Sequence, residues 1–392
     1  MPPTRAIAQT LAEAYLAIKF DEVLPNGDAR YVDLDAVRGT RNVAASLSAL
    51  ITLQERESVT TGDYARFLLT RPTGCGKTTE LYRLKDLLIQ AGFGVVYFDA
   101  GLEFDLQKQQ VEWWVVLLEM LWQIDEQLSQ APYHLDIPDA LREQAIAWLA
   151  QVVTKKTERT EMEAGLTTEL EASAGLPFFA KARAVLKAFV KTGSTRLHEI
   201  KQEAERRPTV HLVYAFPLAL TGSANIGQVF PEKPLLMPMA HVRHHNGAED
   251  RHTVAKMQEV ITRRVAPSVF ARGVLKTLAL ASGGHIRDFL RLVRDAASDL
   301  GERIATAHAQ RAVADLVDLY NRTIQQDFIA PLDHVKQSGG LPGGPHDGAL
   351  VNLLLVLKYR NAETWTALHP CVQAAARYVK APRAHPEEAS GV

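Results

Sequence analysis

The sequence predicts an α/β fold: a parallel sheet flanked by helices, then a helical region and a small C-terminal unit. Three observations carry this. An apolar run, "YARFLLT" (Tyr64–Thr70), leads into "RPTGCG", a helical stretch "KTTELYRLKDLLIQAG" follows, and "FGVVYFDAG" is a second apolar run. Strand, helix and strand of this size form a right-handed crossover in a parallel sheet. After His241 the apolar residues recur at three-four spacing through "DRHTVAKMQEVITRRV", "RGVLKTLALASG", "GHIRDFLRLVRDAASDL" and "ATAHAQRAVADLVDLYNRTIQQDF". A glycine- and proline-rich linker, "SGGLPGGPHDG", then separates the last segment.

Residues 1–60 read as an N-terminal helical lead-in, with two amphipathic stretches around the turn "PNGD". Residues 61–240 form the sheet core, interrupted by a charged helical insert over about 105–207. "TVHLVYAFPLAL" and "KPLLMPM" are further strands, their prolines suiting strand ends or edges. Residues 241–330 are the helical region, and 331–392 the small C-terminal unit with a disordered tail. In that unit "KYRNAETWTALHP" reads as a hairpin between helices, in the manner of a winged helix.

Composition narrows the function classes. With 47% hydrophobic and 23% charged residues among 392, the chain buries a large core. A formal net charge of −1 argues against a broad basic surface, so charge does not indicate nucleic acid as a partner. Two cysteines, Cys75 and Cys371, make neither a disulfide framework nor a zinc signature and fit a reducing cytosol. The first twenty residues read as an amphipathic helix, not a signal peptide, and the apolar runs are too short or interrupted to span a bilayer. A cytoplasmic protein without membrane contact is expected.

The stretch with the most chemistry is Gly74-Cys75-Gly76-Lys77-Thr78-Thr79. A phosphate needs several converging donors, and backbone N–H groups in a glycine turn at a helix N-terminus provide them. Gly74 and Gly76 allow positive φ, Lys77 reaches the β- and γ-phosphates, and Thr78 ligates Mg²⁺. ATP with Mg²⁺ is the expected ligand pair. Arg71 stands where the first glycine of such a loop is usual; it crowds the turn or lends it charge. Cys75 fills a variable position as a small space-filler. Hydrolysis further needs a carboxylate at the end of a neighbouring apolar strand. The in-chain candidate is Asp99, which reads also as an acid capping a strand end next to a turn. Glu80, one turn into the helix, faces solvent or pairs with a base.

"YVDLDAVRG", "GCGKTTELYRLKDLL", "VVYFDA", "VYAFPLALTGSAN", "LLMPMAHVR" and "SGGHIRDFLRLVRDA" together resemble bacterial AAA-type P-loop ATPases, near the STAND and origin-recognition branches. The resemblance covers roughly residues 30 to 375. It implies a P-loop NTPase sheet with the phosphate-loop (Walker A) strand in the middle and a helical lid over 241–330. It also implies a first sensor at Ser223 or Asn225 and a second at Arg287. The strand that should carry the Walker B acids is missing before "TVHLVYAF", which leaves hydrolysis open.

Other stretches read blandly. His241, His244, His245 and His252 form a polar loop with incidental histidines, without metal-ligand spacing. Arg287, Arg291 and Arg294 line one helix face, with Asp288 and Asp295 close enough to pair. The expected function is a nucleotide-dependent switch or assembly ATPase that acts on a protein partner or on another copy of itself. The alternatives are a non-hydrolysing scaffold with a degenerate loop, or a DNA-associated ATPase.

Overall fold

The computed structural model describes residues 6–20, 22–39, 42–72, 74–99, 113–135, 138, 210–217, 235–298, 301–361 and 363–382. The chain divides into two compact units, 1–87 with 208–392, and 88–207.

The first unit holds a parallel sheet of β1 (Arg66–Arg71), β2 (Leu212–Pro217) and β3 (Leu235–Leu236), in the order β2-β1-β3. Arg66 pairs with Leu212 and the register runs to Arg71 opposite Pro217. Leu69 and Thr70 pair with Leu235 and Leu236 on the other side. Phe67, Leu68, Leu69 and Thr70 are buried in succession. That is the signature of a strand covered on both faces, as the middle strand of a parallel sheet must be.

The helices of this unit are α1 (Leu11–Ala17), α2 (Val43–Thr61) and α3 (Lys77–Gln90), the last leaving the loop after β1. Next come α5 (Arg251–Thr262), α6 (Val274–Ala281), α7 (Ile286–Ala296), α8 (Thr306–Thr323) and α9 (Ile329–Ser338). The C-terminal segment is α10 (Asp347–Asn352), the antiparallel hairpin β4 (Val356–Asn361) and β5 (Glu363–Leu368), α11 (Pro370–Ala374) and α12 (Ala376–Val379). It has the helix–hairpin–helix order read from the sequence. The linker before it is tied down where Thr366 N donates to Gly339 O at 2.7 Å.

Phe289, Leu290, Leu292, Val293 and Ala296 make α7 the spine of the main core. The chain start joins that core. Leu11, Ala14 and Ile18 are buried in it, and Ala8 bridges Val265. Thr10 and Glu13 close a capping box at the start of α1. Among the described residues no helix is long and apolar enough to cross a membrane.

In the second unit the expectation for "FGVVYFDAG" fails. Residues 93–99 belong to no strand. Helix α4 (Trp113–Ser129) supplies the reason. Gln127 Oε1 accepts from Tyr97 N at 3.0 Å, and Gln127 Nε2 donates to Tyr97 O at 2.6 Å. One side-chain amide thus takes both bonds that a ladder partner would make. The Tyr133 hydroxyl accepts from Val95 N at 3.0 Å. Most of the expected insert, and both first-sensor candidates, Ser223 and Asn225, lie outside the described residues.

Candidate phosphate-binding loop

β1 ends at Arg71 and α3 begins at Lys77, so the loop is short and its ends are fixed by the central strand and a helix. Gly74 and Gly76 both have φ +81°, the left-handed region. Their reasons for being glycine differ. A Cβ on Gly76 would meet nothing within 4 Å, so the dihedral alone selects it. A Cβ on Gly74 would lie 2.5 Å from His285 Nε2 and 2.9 Å from Arg287 Cβ. Dihedral and close approach both demand glycine there. Lys77, Thr78 and Thr79 are half-buried in the first turn of α3.

Four distant segments grip the loop. Arg287 N, at the start of α7, donates to Gly74 O at 3.2 Å. Arg38, in the 3-10 turn Ala36–Arg38, donates from Nη2 to Cys75 O at 3.0 Å. The Cys75 side chain packs with Met239 and with Leu357 and Tyr359 of β4. Its Sγ lies 3.0 Å from Met239 Sδ, and the Tyr359 hydroxyl donates to Gly283 O at 2.7 Å. Cys75 is therefore a core residue, as its reading as a space-filler has it. Any contact it makes with a ligand comes from its backbone.

Glu80 and Asp35, in the same unit as the loop, are engaged. Glu80 is buried and accepts from the Tyr31 hydroxyl at 3.1 Å and from Arg83 Nη1 at 2.9 Å. Arg83 also bonds the Tyr31 hydroxyl and lies 4.2 Å above its ring. Of the two readings of Glu80, pairing with a base is the one realised. Asp35 lies 3.9 Å from Arg38. Burial first, and the Glu80 charge second, push its carboxyl up to about 6. Asp99, in the second unit, is half-buried and accepts from the Tyr97 hydroxyl at 3.4 Å.

Behind the loop lies a buried polar cluster. His285 Nδ1 stands 3.0 Å from Asp288 Oδ2, while its Nε2 faces Gly74. Tyr320 donates to Asp288 Oδ2 at 2.6 Å and Arg291 to Oδ1 at 3.1 Å. His369 Nε2 is 3.4 Å from the same carboxylate, and its Nδ1 accepts from Cys371 N at 3.1 Å. An accepting Nδ1 carries no proton, so the neutral ring holds its proton on Nε2, toward Asp288. Burial alone would push Asp288 up; the imidazoles of His285 and His369 facing it outweigh that and hold the carboxyl well below the usual range. Burial pushes His369 down, against the opposing pull of Asp288.

The arginine face resolves into separate contacts. Arg291 pairs with Asp288, and Arg294 covers the rings of Tyr15 and Phe20 at 4.7 and 5.3 Å. Arg287 stands beside Gly74. Sequence reasoning gave no role to His285 or Arg38. Both sit inside quoted motifs, "GGHIRD" and "YVDLDAVRG", where a polar residue next to a glycine is the only local signal.

Fold and loop define a class: an α/β protein in which a glycine turn joins the middle strand of a parallel sheet to a helix. No protein-family model and no curated protein sequence matches the chain. Among solved structures it is similar to Drosophila ORC bound to DNA, at 13% identity and TM-score 0.40, covering 96% of this chain and 94% of that one. It is also similar to the Aeropyrum pernix ORC1 protein in complex with DNA, at 14% identity and TM-score 0.36, covering 94% and 96%. Likeness at this level assigns no activity to the chain.

Proposed function

We propose that the chain binds ATP with Mg²⁺ at Gly74–Thr79 and works as a nucleotide-dependent switch on a protein partner or a second copy of itself. The observation that carries this is the loop itself: two left-handed glycines between the middle strand and α3, with Lys77 and Thr78 in the first helical turn. Backbone N–H groups in that arrangement bind phosphate. Lys77 neutralises the β- and γ-phosphates, and Thr78 offers a hydroxyl to Mg²⁺. Arg287, at the start of α7, would follow the nucleotide; its N–H donates to Gly74 O. Ser223 or Asn225 would serve as the first sensor.

A switch needs a ligand with different affinity for two states. The lid start already touches the loop, so a phosphate seated there bears directly on α7. The test is calorimetric titration of Mg²⁺-ATP into wild type and Lys77→Ala, with hydrogen exchange and phosphate release followed in the same samples. Binding to wild type alone, with slower exchange in Ile286–Ala296, is expected. Absence of binding overturns the proposal, and identical exchange with and without ATP removes its switch component.

A second reading, a scaffold that binds ATP without turnover, is favoured by the commitment of Glu80 to Tyr31 and Arg83. The sequence offers Asp99 as a candidate for ordering the metal. Phosphate release by wild type that Asp99→Asn abolishes, with binding retained, would exclude the scaffold.

A further inference from the structure

The segment 241–250 is not the loose polar loop that its composition suggests. His241 is only 4% exposed, and its backbone N donates to Val37 O at 3.3 Å. The chain then turns in a tight hairpin. Arg243 bridges Glu249, His244 N donates to Ala248 O at 2.8 Å, and Gly247 N to His244 O at 2.9 Å. The turn returns the chain to Asp250, the N-cap of α5, which accepts from Thr253 N at 3.0 Å. Residues far apart along an extended chain are thus brought face to face.

The geometry points to a divalent transition-metal site built from His241, His244 and Asp250, with zinc-like ions as the class of ligand. One ligand atom from each lies within 4.8 Å of the other two. His241 Nε2 and Asp250 Oδ2 are 3.1 Å apart. Ligands about 2.0 Å from a tetrahedral centre stand about 3.3 Å from one another, so this pair already has the spacing of one coordination edge. His244 is exposed on the turn, and rotation of its side chain closes the remaining gap. Two imidazoles and a carboxylate suit zinc, nickel, cobalt or copper and disfavour Mg²⁺ and Ca²⁺, which take oxygen ligands.

His244 also lines an open groove of about 600 Å³ with His245, Asn246, Glu363 and Trp365. That groove gives water or a small anion room to complete the sphere. A bound ion would clamp the hairpin to the first turn of α5, next to Trp365 of β5, whose ring centroid is 5.9 Å from that of His241.

The test uses the full chain, stripped with chelator and free of nucleotide so that the phosphate loop holds no ion. Co²⁺ is titrated while its visible d–d absorption is recorded, and Zn²⁺ is then added as competitor. Wild type is expected to bind one Co²⁺ per chain and release it to Zn²⁺. His244→Ala, an exposed change that leaves the metal-free melting point unaltered, is expected to weaken binding by at least the ~10–100-fold seen when a metal site's surroundings are disturbed. His245→Ala is expected to bind as wild type does. No Co²⁺ band in wild type overturns the assignment, as does unchanged affinity in His244→Ala, or a loss that follows His245→Ala instead.

Discussion

Replacing Gly74 by alanine tests the central structural claim, that the start of α7 is packed onto the loop. Two costs apply. A left-handed φ is worth about 1–2 kcal/mol against any residue with a Cβ. The new Cβ also falls 2.5 Å from His285 Nε2 and 2.9 Å from Arg287 Cβ, so something must move. His285 cannot easily yield, because it is 1% exposed and Asp288 holds its other nitrogen at 3.0 Å. Overpacking of that kind costs about 1–3 kcal/mol. Alanine restricts the unfolded chain and returns about 0.4–1 kcal/mol. The net loss for Gly74→Ala is roughly 1–5 kcal/mol by these terms, near 3 at their midpoints. Gly76→Ala has the same φ and open space, so it should lose only about 1 kcal/mol.

Urea unfolding without nucleotide measures both, with the m-value checked for constancy. A double-mutant cycle with His285→Ala sharpens the comparison. Removing the ring should relieve part of the Gly74→Ala cost and leave Gly76→Ala untouched. If Gly74→Ala and Gly76→Ala cost the same within about 0.5 kcal/mol, and the cycle shows no coupling, the packing of α7 on the loop is wrong.

Two pH predictions follow from the buried ionisable groups, and their signs are opposite. His369 and Asp288 are both held below their ordinary values, so each adds stability above its unfolded pKa that is lost as pH falls, from about 6.5 for His369 and about 3.9 for Asp288. His369→Gln should flatten the decline between about pH 7 and pH 5 in urea midpoints, and an unchanged slope would refute its burial as a neutral ring. Asp35 is pushed up to about 6 and so contributes stability at low pH that is lost as pH rises through that value. Asp35→Asn does not titrate, so its stability relative to wild type should rise by up to about 3 kcal/mol from pH 4 to pH 8, whatever constant its loss of contact with Arg38 adds. A difference independent of pH would mean that Asp35 is solvated.

The sequence made the loop legible because its chemistry is local. Glycine, glycine, lysine and threonine meet the needs of one turn and the helix after it, and β1 announces itself as an unbroken apolar run. β2 and β3 were readable for the same reason. Residues 93–99 were misread because an apolar run says nothing about what meets its backbone. Gln127, thirty residues on, takes the place of the neighbouring strand. His241 was misread because a histidine in a polar stretch looks the same whether solvent or Trp365 lies against it. Arg38 and His285 escaped for a related reason: each acts on the loop across the fold, and composition carries no record of that distance.

The grips on the loop explain how it can be rigid and still open to an anion. In a trans peptide the carbonyl of one residue and the N–H of the next point in opposite directions. Gly74 O is drawn toward α7 by Arg287 N, so the N–H of Cys75 is turned the other way. Cys75 O is drawn toward Arg38, which does the same to the N–H of Gly76. Each donor that holds a carbonyl therefore also aims an amide, and consecutive amides aimed by this means form an anion-binding concavity. The Cys75 side chain, buried with Met239 and Tyr359, keeps the turn from rolling over. Arg38 and the start of α7 thus shape the loop without touching any ligand. Under the proposed function, a phosphate pulling on those amides would pull through the same peptide planes on α7 and on the 3-10 turn at Ala36–Arg38, which is the mechanical connection the proposed switch needs.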